Sequence, residues 1–228
     1  MKILNSYKLG SKRLQEDLSS RYSAEKSLLF MLRHGQIQGH EKKLFIGGRT
    51  DIPLDHVGKA QALDWQKAFS EIRFDVVYSS ELKRCLDTAA LICPEQNIQI
   101  DPRLNEINMG TWDGKSFGEI KETLPLEFER RGRQIEHFRP PGGDSFQDLL
   151  GRASPFFNGC IKKHHSQSLS RILVVTHAGV IRVMASRLLK INPRQLFEIR
   201  IDYGHLFIVS TMPIPSLSDH IPYLSGSG

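Results

Sequence analysis

Leu28-Leu29-Phe30-Met31-Leu32-Arg33-His34-Gly35 decides the fold. Five apolar residues in a row are far too few to cross a membrane and are the right length for a strand buried on both faces. A cation, an imidazole and a glycine follow at once. The same construction recurs twice: residues 74–78 lead into Ser79-Ser80-Glu81-Leu82-Lys83-Arg84, and residues 171–176 into His177-Ala178-Gly179. Apolar positions spaced three and four apart predict helices over 57–69, 81–92, 145–163 and 180–190. Short buried strands alternating with helices predict an α/β fold, a three-layer α/β/α sandwich around a mostly parallel sheet. Two later strands are predicted over 197–201 and 206–210, joined by a Tyr203-Gly204 turn, with Pro140-Pro141-Gly142-Gly143 as the strongest internal loop.

The 228 residues suffice for one domain, placed at 28–210. Residues 1–27 read as a polar N-terminal extension with a short helix near 12–18, and 211–228 as a surface tail rich in Pro and Ser. Apolar residues at 39% and charged ones at 25% fit a soluble globular chain and exclude a disordered or membrane-embedded one. Residues 1–27 are studded with charges and hold no apolar run of the signal-peptide kind, so the expected compartment is the cytoplasm, with no membrane partner. The formal charge of +6 invites an anionic partner. Its Lys and Arg are scattered and form no nucleic-acid module, so a small phosphorylated substrate, or simply a solvated basic surface, accounts for it. Cys85, Cys93 and Cys160 show no metal-type spacing and read as reduced thiols. The sequence leaves monomer and dimer open.

Ligands of open α/β sheets collect at the carboxyl ends of the strands. Arg33, His34, Arg84 and His177 should therefore meet at one rim. Such a cluster repels itself unless an anion fills it. A phosphoryl group suits, because the arginine fork matches its oxygens. Each residue alone has a bland alternative, a structural histidine or a helix-surface arginine, and the four together displace it. Cys85 is expected to be an inert buried thiol, Trp112 a packing residue, and His164-His165 a solvated helix end.

These residues resemble the histidine phosphatase (phosphoglycerate mutase-like) superfamily. Arg33-His34-Gly35 resembles its signature, and Gly48-Arg49-Thr50-Asp51-Ile52-Pro53-Leu54 the segment that follows. Val77-Tyr78-Ser79-Ser80 with Arg84 and Thr88-Ala89 is similar to its second block. Leu104, Glu106, Gly110, Trp112 and Gly114 match its acid-bearing block, Pro141-Gly142-Gly143-Asp144-Ser145 its loop, and residues 174–182 its second-histidine block. The resemblance implies a phosphoglycerate mutase-like fold and a phosphatase needing neither metal nor cofactor. His34 would be the nucleophile; Arg33, Arg84 and His177 would hold the phosphoryl oxygens; Glu106 would be the acid and then the base. Substrate contacts fall to Gly47, Gly48, Ala178, Arg130 and Arg131.

Gln36 stands where many members carry Glu, and Gly47-Gly48 where a Ser-Gly or Thr-Gly is common, so backbone amides are expected to replace one side-chain contact. Among phosphatases the pattern most resembles the α-ribazole phosphatases of cobalamin biosynthesis. A phosphoglycerate mutase or sugar bisphosphatase, favoured by Arg130-Arg131, stays open. So does an inactive module that binds a phosphorylated ligand.

Overall fold

The computed structural model describes residues 2–7, 27–165, 170–190, 195, 198 and 200–210. Its strands are β1 (Lys2–Tyr7), β2 (Ser27–Arg33), β3 (Val76–Ser79), β4 (Ile98–Ile100), β5 (Ser170–Thr176) and β6 (Leu206–Ser210). The helices are α1 (His56–Ala68), α2 (Lys83–Ile92), α3 (Phe117–Thr123), α4 (Pro125–Arg133), α5 (Phe146–His165) and α6 (Ala178–Leu189). The sheet order is β1-β6-β2-β5-β3-β4. β2, β5, β3 and β4 run parallel, and β6 joins them antiparallel with β1 at its outer edge.

Leu, Phe and Met differ in intrinsic helix preference by well under ~1 kcal/mol per residue, whereas burying one such side chain is worth about 1.5–3 kcal/mol. Packing therefore decides that residues 28–32 form a strand. Leu28, Phe30 and Leu32 enter a core with Trp65, Phe69, Val77 and Leu173 on one face. Leu29 and Met31 enter the other, with Leu149, Phe157, Val174 and Ile181. Helices thus cover both faces of the sheet, α1 and α2 on one side, α5 and α6 on the other, as the three-layer reading expects.

Residues 2–7 correct the N-terminal assignment. The polar extension expected over 1–27 contains a strand there: β1 pairs with β6 from Lys2 opposite Ser210 to Tyr7 opposite Leu206. An edge strand is held by backbone hydrogen bonds and needs little apolar alternation, so its sequence carries a weak signal. β1 also explains a second difference. Residues 198, 200 and 201, within the expected strand over 197–201, lie outside any strand. β6 is already flanked by β2 and β1. The short helix near 12–18 and the tail beyond residue 210 lie outside the described residues. Among these residues no helix is long and apolar enough to cross a membrane.

Parallel register brings the strand ends together. Arg33 lies opposite Thr176 and Ser79 opposite Val175. The amide of His34 donates to Thr176 O at 3.0 Å, and that of Ser80 to Val175 O at 3.2 Å. His34, Ser80 and His177 therefore leave the sheet at the same level.

Candidate active site

His34 is buried, 4% exposed, directly after β2. Its Nδ1 lies 2.8 Å from Gly35 O. A carbonyl only accepts, so the ring proton sits on Nδ1 and Nε2 carries the lone pair. Burial, then the charges of Arg84 and Arg33, hold the imidazole well below its ordinary range, so it is neutral at pH 7. The turn beyond it is clamped: Gly35 N donates to Thr88 Oγ1 at 3.1 Å, and Gly204 N to His34 O at 3.1 Å. Gly35 crosses Gly58 at the start of α1 so closely that a Cβ on Gly35 would sit 2.4 Å from Gly58 O. Gln36 fits this corner because its Nε2 donates to Asp55 Oδ2 at 2.9 Å. A carboxylate in its place would face another carboxylate.

Arg84, 1% exposed in the first turn of α2, is held from three sides. Its Nε donates to His177 Nδ1 at 3.3 Å, Nη1 to Thr50 O at 2.9 Å and Nη2 to Gly47 O at 3.1 Å. Three of its five donors are so committed. The segment around Thr50 is itself docked on α2, where Asp51 accepts from Lys83 N at 2.9 and 3.1 Å. Arg33 approaches from β2. Its Nη1 donates to Ile201 O at 2.8 Å and its guanidinium lies over Tyr203, 3.8 Å from the ring centroid. Its Nε is buried with no hydrogen-bond partner among the described residues.

His177 is fully buried, and a guanidinium can only donate, so its Nδ1 is the acceptor and its proton sits on Nε2. That proton points to Ser80 Oγ at 2.8 Å. Ser80 Oγ in turn donates to Asn105 Oδ1 at 2.8 Å, and Asn105 Nδ2 to Glu81 Oε1 at 2.5 Å. Burial, then Arg84 and His34, hold His177 well below its ordinary range. Cys85 Sγ lies 3.3 Å from His177 Nε2, and burial pushes its thiol far up, so it is a neutral neighbour.

Glu106 spans the gap between the acid-bearing loop and α6. Its Oε1 accepts from Ile107 N at 2.9 Å and its Oε2 from Gly179 N at 3.1 Å. A Cβ at 179 would meet Oε1 at 2.1 Å, so a side chain there would displace the carboxyl. Ala178 opens α6 beside it, directly after His177.

The remaining expected contacts are divided. The amides of Gly47 and Gly48 are engaged inside the protein, with Asp113 Oδ1 at 3.1 Å and Ile107 O at 2.9 Å, so neither is offered to a ligand. Their place in the site is structural, Gly47 O being a receptor for Arg84. Arg130 and Arg131, neighbours on α4, stand over different rings, Arg130 5.9 Å from the Phe138 centroid and Arg131 over Phe45. Arg130 donates to Gln134 Oε1 at 3.3 Å and is exposed. Arg131 lies 5.2 Å from the Phe45 ring centroid, and burial followed by repulsion from Arg182 lowers it to about 10. Arg182 in turn feels both Glu106 and Arg33. Sequence reasoning placed Arg182 in a motif without assigning it a task, and it took Tyr203 for a turn residue only. Trp112 packs between Phe45 and Phe138, each 5.3 Å away. The side chains of His164 and His165 lie outside the described residues. Among those residues, no three His, Cys, Asp or Glu gather in a metal-type cluster.

An α/β sheet with neutral buried imidazoles and arginines converging at its strand ends defines an enzyme that handles phosphoryl groups. Residues 29–213 match the histidine phosphatase superfamily (branch 1). The adenosylcobalamin/alpha-ribazole phosphatase of Escherichia coli is 29% identical over 178 residues, 77% of this chain and 86% of that protein. The 2,3-bisphosphoglycerate-dependent phosphoglycerate mutase 2 of Gloeobacter violaceus is 31% identical over 182 residues, 78% of this chain and 82% of that one. The crystal structure of the alpha-ribazole phosphatase from Shigella flexneri matches with a TM-score of 0.70 at 27% identity, over 78% of this chain and 87% of that one. The chain belongs to the histidine phosphatase superfamily and is an enzyme of the phosphatase type.

The two depressed histidines make stability depend on pH with a definite sign. Below about pH 6.5 the unfolded chain binds protons that the folded chain refuses, and stability falls by up to roughly 1.4 kcal/mol per pH unit for each histidine. Above that pH both states are neutral and the effect vanishes. In phosphate-free buffer the urea-unfolding free energy should therefore drop between pH 6.5 and 5. His34→Asn and His177→Asn should each flatten that drop, whereas an unchanged slope in both would show that the folded rings titrate normally.

Proposed function

We propose that the protein is a metal-independent phosphomonoesterase that works through a phosphohistidine on His34, acting in the cytoplasm on a small phosphorylated metabolite such as α-ribazole 5′-phosphate. The observation that carries this is the state of His34, a neutral ring with its proton tied to Gly35 O, its Nε2 lone pair free, and the charges of Arg84 and Arg33 acting on it. The Nε2 lone pair attacks phosphorus. The bond from phosphorus to the ester oxygen breaks, and that oxygen takes its electron pair and the proton of the Glu106 carboxyl. Water then gives a proton to the Glu106 carboxylate and attacks phosphorus, and the P–N pair returns to Nε2 as inorganic phosphate leaves. Arg33 and Arg84 meet the charge that builds on the phosphoryl oxygens, the part taken by metal ions in two-metal enzymes. The buried Nε of Arg33 supports this, since an orphan donor there gains an acceptor when an anion enters. His177 holds Arg84 in aim, and its Nε2–H is within exchange of Ser80 Oγ for a phosphoryl oxygen.

The α-ribazole substrate rests on the pattern of the sequence and on the names of the Escherichia coli and Shigella flexneri relatives. A second reading, a doubly anionic substrate as for a bisphosphatase or mutase, is favoured by the mutual repulsion of Arg131 with Arg182 and of Arg182 with Arg33. The sequence pair Arg130-Arg131 thereby narrows to Arg131 with Arg182 as the candidate second anion contact, and Ala178 to a backbone donor at the helix start.

Rapid acid-free quenching with substrate should trap one acid-labile, alkali-stable phosphate per chain, located on His34 by mass spectrometry and absent from His34→Ala, which should not turn over. An alkali-labile acyl phosphate, or turnover by that variant, would sink the assignment, and no turnover in the wild type across a panel of phosphorylated metabolites would leave a binding module.

Charge-assisted contacts are worth about 1.5–3 kcal/mol, or on the order of 10- to 100-fold in affinity. Arg131→Ala should raise KM by that factor for a substrate with a second anionic group while leaving 4-nitrophenyl phosphate unaffected, and Arg130→Ala should change neither. An unchanged ratio in Arg131→Ala would remove the second reading.

A further inference from the structure

Arg152 lies on α5, outside every segment that carries the family pattern, and it is tied to the acid-bearing loop by four hydrogen bonds. Its Nη1 donates to Pro102 O at 3.2 Å and Arg103 O at 3.0 Å. Its Nη2 donates to Asn105 O at 2.9 Å and Glu106 O at 3.1 Å. Both terminal nitrogens of a guanidinium carry two N–H groups, so all four are committed. The one carbonyl omitted from this stretch, Leu104 O, accepts from Thr176 Oγ1 at 2.7 Å. Two side chains, one from α5 and one from β5, therefore hold five consecutive carbonyls.

The register of Arg152 is itself fixed. Ser145 and Asp148 cap the start of α5 reciprocally, Ser145 N donating to Asp148 Oδ2 at 2.8 Å and Asp148 N to Ser145 Oγ at 3.1 Å. Arg139 braces the same carboxylate at 2.6 and 2.7 Å. Arg152 follows Asp148 by four residues, one turn later. Behind it Leu149 and Ala153 are fully buried in the core.

The held segment has only a single 3-10 turn, Pro102–Leu104, and then runs irregularly into Glu106. Beyond that turn no sheet or helix fixes it, and these bonds hold its backbone together with the burial of Leu104 and the side-chain bonds of Asn105. It also supplies Asn105, whose side chain receives the hydroxyl of Ser80, the partner of His177.

We infer that Arg152 is a positioning residue for proton transfer, clamping the 102–106 backbone so that the Glu106 carboxyl stands at the leaving oxygen. The inference rests on Glu106 being the acid. Misplacing a reacting group by about 1 Å can cost on the order of 100-fold. In the step that phosphorylates His34, the loss from Arg152→Gln should fall on substrates whose leaving oxygen needs protonation and not on those that do not.

The test compares the single-turnover rate of His34 phosphorylation, before the hydrolytic step that both esters share, in wild type, Arg152→Gln, Arg152→Lys, Glu106→Gln and the Arg152→Gln/Glu106→Gln double variant, with 4-nitrophenyl phosphate and with an alkyl phosphate that the wild type hydrolyses. Arg152→Gln should lower that rate with the alkyl ester by about 10- to 100-fold, leave the half-saturating concentration within about twofold and alter the rate with the aryl ester by less than about threefold. Arg152→Lys, which keeps the charge but cannot span four carbonyls, should fall between. In the Glu106→Gln background the further loss should be negligible. Equal losses on both esters in either Arg152 variant, or full additivity in the double variant, would overturn the positioning role. If Arg152→Gln does not fold, Arg152→Lys decides by the same ratio. A Glu106→Gln variant that itself fails to separate the two esters would instead overturn the assignment of the acid, and the positioning role with it.

Discussion

Two guanidiniums packed against two buried imidazoles cannot coexist with protonated rings, and this constraint organises the site. The arginines keep their charge because guanidinium does not deprotonate in a protein. The histidines yield instead, and each is locked in one tautomer by a partner of fixed character: a carbonyl for His34 Nδ1 and a guanidinium N–H for His177 Nδ1. Neutrality gives His34 its nucleophilic lone pair. The same electrostatics that would destabilise an imidazolium there favour an incoming anion, so the chemistry and the substrate preference have one cause.

Holding such a cluster together takes acceptors, and the chain supplies them from backbone. Arg84 is received by Gly47 O and Thr50 O, Arg33 by Ile201 O, and Arg152 by four carbonyls around Glu106. Carbonyls orient a guanidinium without neutralising it, unlike a carboxylate at bonding distance. Asp51 is the intermediate case: it forms an ion pair with Arg84 Nη1 at 3.8 Å, too long for a hydrogen bond, and makes its hydrogen bonds to Lys83 N. The irregular loops between strands and helices thus serve as fixed dipoles, and their docking onto α2, α5 and α6 lets the pocket keep its positive field.

What the sequence disclosed follows from the parallel sheet. Residues 28–32 and 171–176 are apolar enough to be strands in any context, and parallel neighbours end at one level, so Arg33, His34 and His177 were bound to meet. Arg84 followed from its place in the first turn of the helix after β3. The legible residues all sit within a few positions of a strand end. Arg152 does not: it reaches the site from six residues inside a helix, and nothing in its neighbourhood marks it. Tyr203 depends on a cation supplied from a distant strand. β1 was hidden because edge pairing relies on backbone that every sequence possesses, and the divergence of Arg130 and Arg131 is set by helix rotation that a dipeptide does not display. Gly47 and Gly48 looked like ligand amides until the bonds to Asp113 and Ile107 showed them engaged.

The neutrality of His34 and the place of its proton form the central claim, and nitrogen-15 NMR of the histidine rings reads both. In protein free of bound anion at pH 7, the His34 ring, assigned by its loss in His34→Asn, should show a protonated Nδ1 and an Nε2 with the shift of a bare pyridine-type nitrogen, unchanged on lowering the pH to 6. A protonated Nε2, or an imidazolium with both nitrogens protonated at pH 7, would contradict the account.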